Sequence, residues 1–481
     1  MRRIMKTDKK LRTNRYIFLT CLLVVLLFFA MIGYMIYFMI VQRQDVISSP
    51  YNQRTENLQA QIIRGSIMSA DGKVLAETIT DEEGNEVRNY PYGNLFSHVI
   101  GYTSHGQSGL ESSYNYTLLS THADLITQLS NGIRGYKNPG DNLYTTLDTT
   151  LQEAAYEALG DYQGAVIAIE PKTGKIRAMV SKPDYDPNEI DEIWSDLTED
   201  DSSTVLMNRA TKGLYPPGST YKILTALEYI TENPYSYEDF SYDCQGETVI
   251  NSVKIHCYQG NVHGKENLNE AFANSCNTAF VTLGCKLERS DLLKLNKTFY
   301  FNRKIDCDLN IAKSQFKITS DSEDFELPQT LIGQGDTLIT PIHNALILCA
   351  IANDGIMMRP MLVEETTTAD QVVIHEEEPQ TMMELEDKTA IPVLQKMLRS
   401  VVTDGTGSVL QSDDYTVAGK TGTAENEKED AHSWFVGYSN VDDPDLVVCV
   451  IAENTGAGSR YAAPIARKVF DAYYENQLDK K

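Results

Sequence analysis

The sequence predicts a mixed α/β (α+β) fold: an antiparallel sheet flanked by helices, with an all-helical subdomain, a small N-terminal module and one transmembrane helix. Three observations lead there. Apolar strand-like runs stand early (Gly164–Glu170, Lys175–Val180) and late (Tyr415–Gly419, Ser433–Tyr438, Leu446–Glu453). Helix-period segments dominate between them, from about Ser219 to Asn296. Strands early, helices in the middle and strands late suit one sheet whose first and last segments meet. The third observation is a long uncharged run near the start of the chain.

That run is Tyr16–Val41, closed by Arg43. As a helix it would span about 39 Å, enough for the hydrocarbon core of a bilayer with some tilt. It is longer than the apolar part of a signal peptide, and Met39-Ile40-Val41-Gln42 is no small-residue cleavage site. An uncleaved signal anchor is expected. Residues 1–15 carry seven Lys and Arg against Asp8, a net +6 in a chain of −25, so the remainder sums to −31. The basic start places the N-terminus in the cytoplasm and the body outside. The acidic body argues against a nucleic-acid partner and against docking on anionic headgroups.

Four regions follow: a tail (1–15), the anchor (16–41), a small N-terminal module (42–145) and a large module (146–481). After the polar stretch Gln42–Gln61, residues Arg64–Ala76 alternate, turn at Asp71-Gly72 and alternate again, a hairpin signal. Asp81–Arg88 reads as a charged loop, and a helical stretch begins at Gly109-Leu110-Glu111 and runs past Tyr114 and Leu118. In the large module Leu147–Leu159 has helix spacing, with Asp148 near its start. Pro171–Gly174 is a turn, Leu346–Ala352 an apolar helix and Ala463–Glu475 a closing helix. Of eight cysteines, Cys21 lies in the apolar run. The other seven cannot all pair. Without a C-x-x-C, spacing gives no support for zinc. Cys244 and Cys257 flank a hairpin-like stretch and could form a disulfide. Cys285, Cys349 and Cys449 suit buried apolar positions.

Three short motifs carry chemistry. Ser219-Thr220-Tyr221-Lys222 follows Tyr215-Pro216-Pro217-Gly218 at a helix start, where free backbone N–H groups favour a developing oxyanion. The i to i+3 spacing puts Lys222 on the face of Ser219, where a neutral lysine can take the serine proton. Ser275-Cys276-Asn277 follows a helical run and can present two polar groups to one cleft. Lys420-Thr421-Gly422-Thr423 ends the strand Tyr415–Gly419, where Gly422 would let a substrate backbone lie close to an edge strand. Each motif has a second copy: Ser314-Gln315-Phe316-Lys317, Ser113-Tyr114-Asn115 and Lys172-Thr173-Gly174. Only the set at 219, 275 and 420 combines the right order with the helix-start setting. His263 and His432 lie near these motifs in sequence and suit hydrogen-bonded structural roles; His256 and His263 have no recognisable metal spacing.

The ordered set S-x-x-K, S-x-N, K-T-G resembles that of penicillin-binding proteins and class A β-lactamases. The chain resembles a class B penicillin-binding protein of the short, single-transmembrane type. Arg64-Gly65-x-Ile67 with Asp71-Gly72, and Gly109-Leu110-Glu111, resemble motifs of that family's N-terminal pedestal. Asp186-Pro187-Asn188, Asn208-Arg209-Ala210 and Trp434-Phe435-Val436-Gly437 resemble landmarks around its active site.

The resemblance implies a penicillin-binding transpeptidase fold and a peptidoglycan D,D-transpeptidase inhibited by β-lactams. Ser219 would be the nucleophile and Lys222 the general base. Ser275 and Asn277 would relay the proton and bind the substrate amide, and Lys420 would position Ser275 and the substrate carboxylate. Backbone N–H groups of Ser219 and Thr423 would form the oxyanion hole, with the Thr421 and Thr423 hydroxyls on the carboxylate. No metal or cofactor is expected. Expected partners are peptidoglycan stem peptides and a separate polytopic membrane glycosyltransferase. Two other enzyme readings stay open, a D,D-carboxypeptidase and a β-lactamase-like hydrolase. Against the latter, Glu266-Asn267-Leu268-Asn269 resembles a deacylation loop but precedes Ser275. A non-catalytic cell-wall scaffold is the reading from a different class.

Overall fold

The computed structural model describes residues 2–39, 57–200, 202–426 and 429–479. The chain divides into two units, Met1–Ala60 and Gln61–Lys481. The first carries the helix Arg2–Tyr37, whose part Arg15–Tyr37 is long and apolar enough to cross a membrane. The expected end of the span at Val41, its closing Arg43 and most of the polar stretch after it lie outside the described residues.

The second unit is built on a five-stranded antiparallel sheet, in the order Val417–Ala424, His432–Ser439, Leu446–Ala452, Gly164–Ile169, Ile176–Lys182. Early and late strands meet where Val447–Ala452 pairs with Gly164–Ile169. Both faces are covered, so these strands read as continuous apolar runs. Side chains alternate between two cores. Ala165, Ile167, Ile169, Val447, Cys449 and Ile451 meet the wholly buried helix Pro341–Ala352. Val166, Ala168, Val448 and Val450 meet helices Thr149–Leu159 and Ala462–Asp479. Asp148 caps the first of these by accepting from Leu151 N–H.

The middle of the chain is helical over Lys222–Glu232, Leu268–Ala273, Asn277–Gly284 and Arg289–Thr298, but it is not helical throughout. Four short strands interrupt it. Ser241–Cys244 pairs with Gly264–Asn267, and Glu247–Ile250 pairs with Val253–His256. The second pair is the hairpin flanked by Cys244 and Cys257. Its β-branched residues Thr248, Val249, Ile250, Val253 and Ile255 favour strand, and Asn251 and Ser252 turn it at φ of 51° and 66°.

The N-terminal module also departs from its sequence reading. The last three residues of the expected loop Asp81–Arg88 are strand, since Glu86–Asn89 pairs with Val74–Thr80. The six-stranded sheet containing that pair takes Val363–Thr367 and Val373–Glu376 from far along the chain, and so crosses residue 145. At its heart Glu111 is fully buried between two arginines. Its carboxylate accepts from Arg64 Nε at 2.6 Å and from Arg88 Nε at 2.7 Å, and Arg64 also donates to the Glu111 carbonyl. Burial alone would raise this carboxyl, yet the two guanidinium groups hold it below its ordinary value. The two sequence motifs at Arg64 and Glu111 are thus halves of one buried ion cluster. Removing one partner leaves buried charge uncompensated, which costs about 3–5 kcal/mol. Glu111→Gln is expected to lower the thermal denaturation midpoint by this mechanism, while Lys137→Gln, which breaks the exposed pair with Glu86, leaves it nearly unchanged.

Candidate active site

The three motifs converge on one cleft of about 280 Å³. Ser219 lies in the turn of 3₁₀ helix Gly218–Tyr221 that feeds helix Lys222–Glu232, and it is half-buried at the cleft floor. The turn is held on several sides. Gly218 N–H donates to Gly333 O at 2.8 Å, Thr220 Oγ1 to Pro217 O at 2.8 Å, and Trp434 Nε1 to Pro216 O at 3.0 Å.

Lys222, the residue that follows the turn, is wholly buried. Its Nζ donates to Ser275 O at 2.7 Å and to Asn277 Oδ1 at 2.7 Å, and lies 3.3 Å from Ser275 Oγ. Burial is the main influence on it and lowers its pKa to about 8. A neutral Lys222 has two N–H donors for the two short contacts and keeps a lone pair for an incoming proton. Ser275 sits in the loop between helices Leu268–Ala273 and Asn277–Gly284, and Asn277 is the first residue of the second helix. Ser275 adopts φ of 58°, a left-handed conformation that costs a non-glycine residue about 1–3 kcal/mol. That conformation turns its carbonyl and hydroxyl toward the same lysine.

The third motif lies inside the edge strand Val417–Ala424 rather than beyond its end. Strand alternation divides its roles. Thr421 and Thr423 line the cleft. Lys420 and Gly422 turn into the protein. Lys420 is wholly buried, donates to Thr421 O at 3.2 Å and has its pKa pushed well down, first by burial and then by Lys222. Gly422 has a packing role inside the protein. A Cβ there would lie 2.9 Å from Trp434 Cβ, 3.0 Å from Thr220 Cγ2 and 3.2 Å from Pro217 O. The missing side chain makes room for the turn that carries Ser219. Gly218 answers from the other side: at φ of +52°, its Cβ would lie 2.7 Å from Thr423 O.

The duplicate motifs are elsewhere. Ser314 is buried with its hydroxyl 2.7 Å from His343 Nδ1, Ser113 ends a helix of the N-terminal module, and Lys172 pairs with Asp443 at a hairpin turn. Sequence reasoning missed Thr406, whose hydroxyl is 2.6 Å from that of Thr421, and Gln334, which donates to Thr423 O at 3.3 Å. Both are single polar residues in loops and carry no spacing signal. His263 lines the cleft, with Nδ1 3.4 Å from Cys244 Sγ, and His432 Nδ1 accepts from Asn454 N–H. Cys244 and Cys257 are both free thiols with sulfurs 3.6 Å apart, so the disulfide considered from sequence is absent. Cys349 and Cys449 are buried as expected, whereas Cys285 is half-exposed.

Residues 164–471 match the penicillin binding protein transpeptidase domain, and residues 64–143 match the penicillin binding protein A dimerisation domain. The chain is 32% identical over 457 residues to the peptidoglycan D,D-transpeptidase PbpA of Mycolicibacterium smegmatis, a match covering 88% of this chain and 92% of that protein. Its fold is similar to the D,D-transpeptidase domain of a peptidoglycan glycosyltransferase from Eggerthella lenta, with a TM-score of 0.79, 32% identity, and coverage of 86% of this chain and 98% of that one. It is equally similar to penicillin-binding protein A of M. tuberculosis in its imipenem acyl-enzyme complex, with a TM-score of 0.79, 29% identity, and coverage of 87% and 99%. The chain belongs to the penicillin-binding protein transpeptidase family.

Two outcomes are expected of this geometry. The acylation rate with a β-lactam should rise with pH and level off above about 8, following deprotonation of Lys222. Stopped-flow acylation checks this, and Lys222→Arg, which stays cationic, should lose both the rise and most of the rate. Gly422→Ala should displace the Ser219 turn, slowing acylation at least about tenfold while the protein still melts cooperatively.

Proposed function

We propose that the protein is a membrane-anchored peptidoglycan D,D-transpeptidase that cross-links stem peptides through an acyl-enzyme on Ser219. The observation that carries the reading is the hydrogen bonding of buried Lys222 to Ser275 and Asn277, immediately below the cleft that Ser219 opens onto.

Ser219 Oγ attacks the carbonyl carbon of the penultimate D-alanine in a donor stem. As the C–O bond forms, the hydroxyl proton passes to Lys222. The carbonyl electron pair is received by the backbone N–H groups of Ser219 and Thr423. Collapse breaks the peptide C–N bond, and the terminal D-alanine leaves with a proton relayed through Ser275. Asn277 holds the donor amide. The Thr421 and Thr423 hydroxyls hold the terminal carboxylate, steered by the buried Lys420. An acceptor amine then attacks the ester, loses its proton to the same lysine and restores the Ser219 hydroxyl. A β-lactam opens by the same attack, but its amine stays tethered and blocks the acceptor.

The basic residues 1–15 support a cytoplasmic N-terminus and an extracytoplasmic body. By family resemblance, the anchor and the N-terminal module would contact a separate polytopic glycosyltransferase that supplies the glycan strands.

The test is a donor ester ending in a D-alanine-like acyl group, offered with a D-amino acid as acceptor. The aminolysis product should exceed the hydrolysis product. Ser219→Ala should abolish both, and Ser314→Ala should keep both. Hydrolysis without aminolysis would favour a carboxypeptidase. Turnover that survives Ser219→Ala would overturn the reading.

A further inference from the structure

A second constellation lies beside the cleft. Cys244, Cys257, Cys276 and His263 bring their ligand atoms within 4.8 Å of one another. Cys244 Sγ is 3.6 Å from Cys257 Sγ and 3.4 Å from His263 Nδ1, and Cys257 Sγ is 3.8 Å from Cys276 Sγ. Tetrahedral bonds of about 2.3 Å to sulfur and about 2.0 Å to nitrogen would place sulfurs about 3.8 Å apart and sulfur and nitrogen about 3.5 Å apart. The three cysteines are buried free thiols. Ordinary thiol packing explains a buried pair. It does not explain three sulfurs and an imidazole nitrogen converging on one point.

The surroundings suit thiolate ligands. Gly246 N–H donates to Cys244 Sγ at 3.4 Å, and Thr278 Oγ1 lies 3.2 Å from it. Such donors commonly orient metal-bound ligands. The cluster also joins separate pieces. Cys244 and Cys257 form the neck of the hairpin 247–256, and a two-stranded hairpin is marginal without further tethering. Cys276 is the middle residue of the S-x-N motif. Asn277 Nδ2 donates to His256 O at 2.8 Å, on the residue before Cys257.

We propose that Cys244, Cys257, His263 and Cys276 bind one zinc ion, which pins the hairpin neck under the Ser275–Asn277 loop and so helps to hold the left-handed Ser275 against Lys222. Three thiolates with one imidazole, all from the protein, make a closed four-coordinate set of the structural kind, and soft sulfur ligands select zinc over hard cations. Binding forms three Zn–S bonds and one Zn–N bond and releases the protons that the thiols carry. The spacing, C-x12-C-x5-H-x12-C, has no short pair of ligands. Only the fold makes it a site.

The full-length protein in detergent, purified in reductant and supplied with zinc, provides the test. Elemental analysis should find about one zinc per chain in the wild type and in Cys285→Ser, and well under half that in His263→Ala and Cys276→Ser. Because a cysteine variant can fail to fold, the wild type is also loaded with cobalt(II). It should show the thiolate charge-transfer band and the intense visible bands of tetrahedral coordination. Chelation should slow β-lactam acylation at least about tenfold, and added zinc should restore it. A reduced wild type that takes up neither zinc nor cobalt, or a Cys244–Cys257 disulfide in the protein as isolated, would overturn the site. An acylation rate indifferent to metal would overturn its link to the S-x-N loop. The metal readouts do not depend on Ser219, so their failure would be distinct from failure of the transpeptidase reading.

Discussion

A lysine with no solvent exposure must find its partners inside the protein, and Lys222 finds them where one loop enters helix Asn277–Gly284. The carbonyl of Ser275 and the amide oxygen of Asn277 accept from it at 2.7 Å each. To reach it, Ser275 takes a backbone conformation that a non-glycine residue adopts only when its surroundings over-determine it. Burial lowers the lysine pKa into a range where the neutral base is available without strong alkali. The same burial ties the S-x-x-K helix to the S-x-N loop, so the chemistry and the local packing rest on one set of contacts.

The K-T-G strand enters this arrangement through steric fit. Gly422 and Gly218 face each other's segments across the junction of the edge strand and the Ser219 turn, and neither position has room for a methyl group. The close approach puts Thr421 and Thr423 along the same cleft as Ser219. The buried Lys420 contributes through the strand, by its bond to Thr421 O, and its own pKa is held down by burial and by Lys222. Behind the strand, the two-sided core of the five-stranded sheet fixes where that edge lies.

Much of this was legible in the sequence because it is written in local patterns. Apolar runs marked all five strands of the central sheet, and Pro-Pro-Gly marked the start of the Ser219 turn. The order of the motifs separated Ser219 from Ser314, which the fold uses to bond His343. What stayed hidden depends on residues far apart. Nothing in Glu86–Asn89 announces its strand partner, and nothing in Asn142–Thr145 announces Val363–Thr367. Gly422 was legible as a glycine that matters, but only the packing shows that it faces Thr220 and Trp434. The cysteines were least legible of all. Four ligand atoms spread from residue 244 to residue 276 meet only after two hairpins and a helix junction have formed.

The central claim is that the Ser219 hydroxyl is the group that is acylated. The most direct measurement is mass spectrometry of the intact protein after exposure to a β-lactam, followed by peptide mapping of the adduct. The account predicts one adduct per chain, located on the peptide that contains Ser219, with none formed on Ser219→Ala. An adduct on any other residue, or an unmodified wild type under conditions that saturate a control penicillin-binding protein, would contradict it.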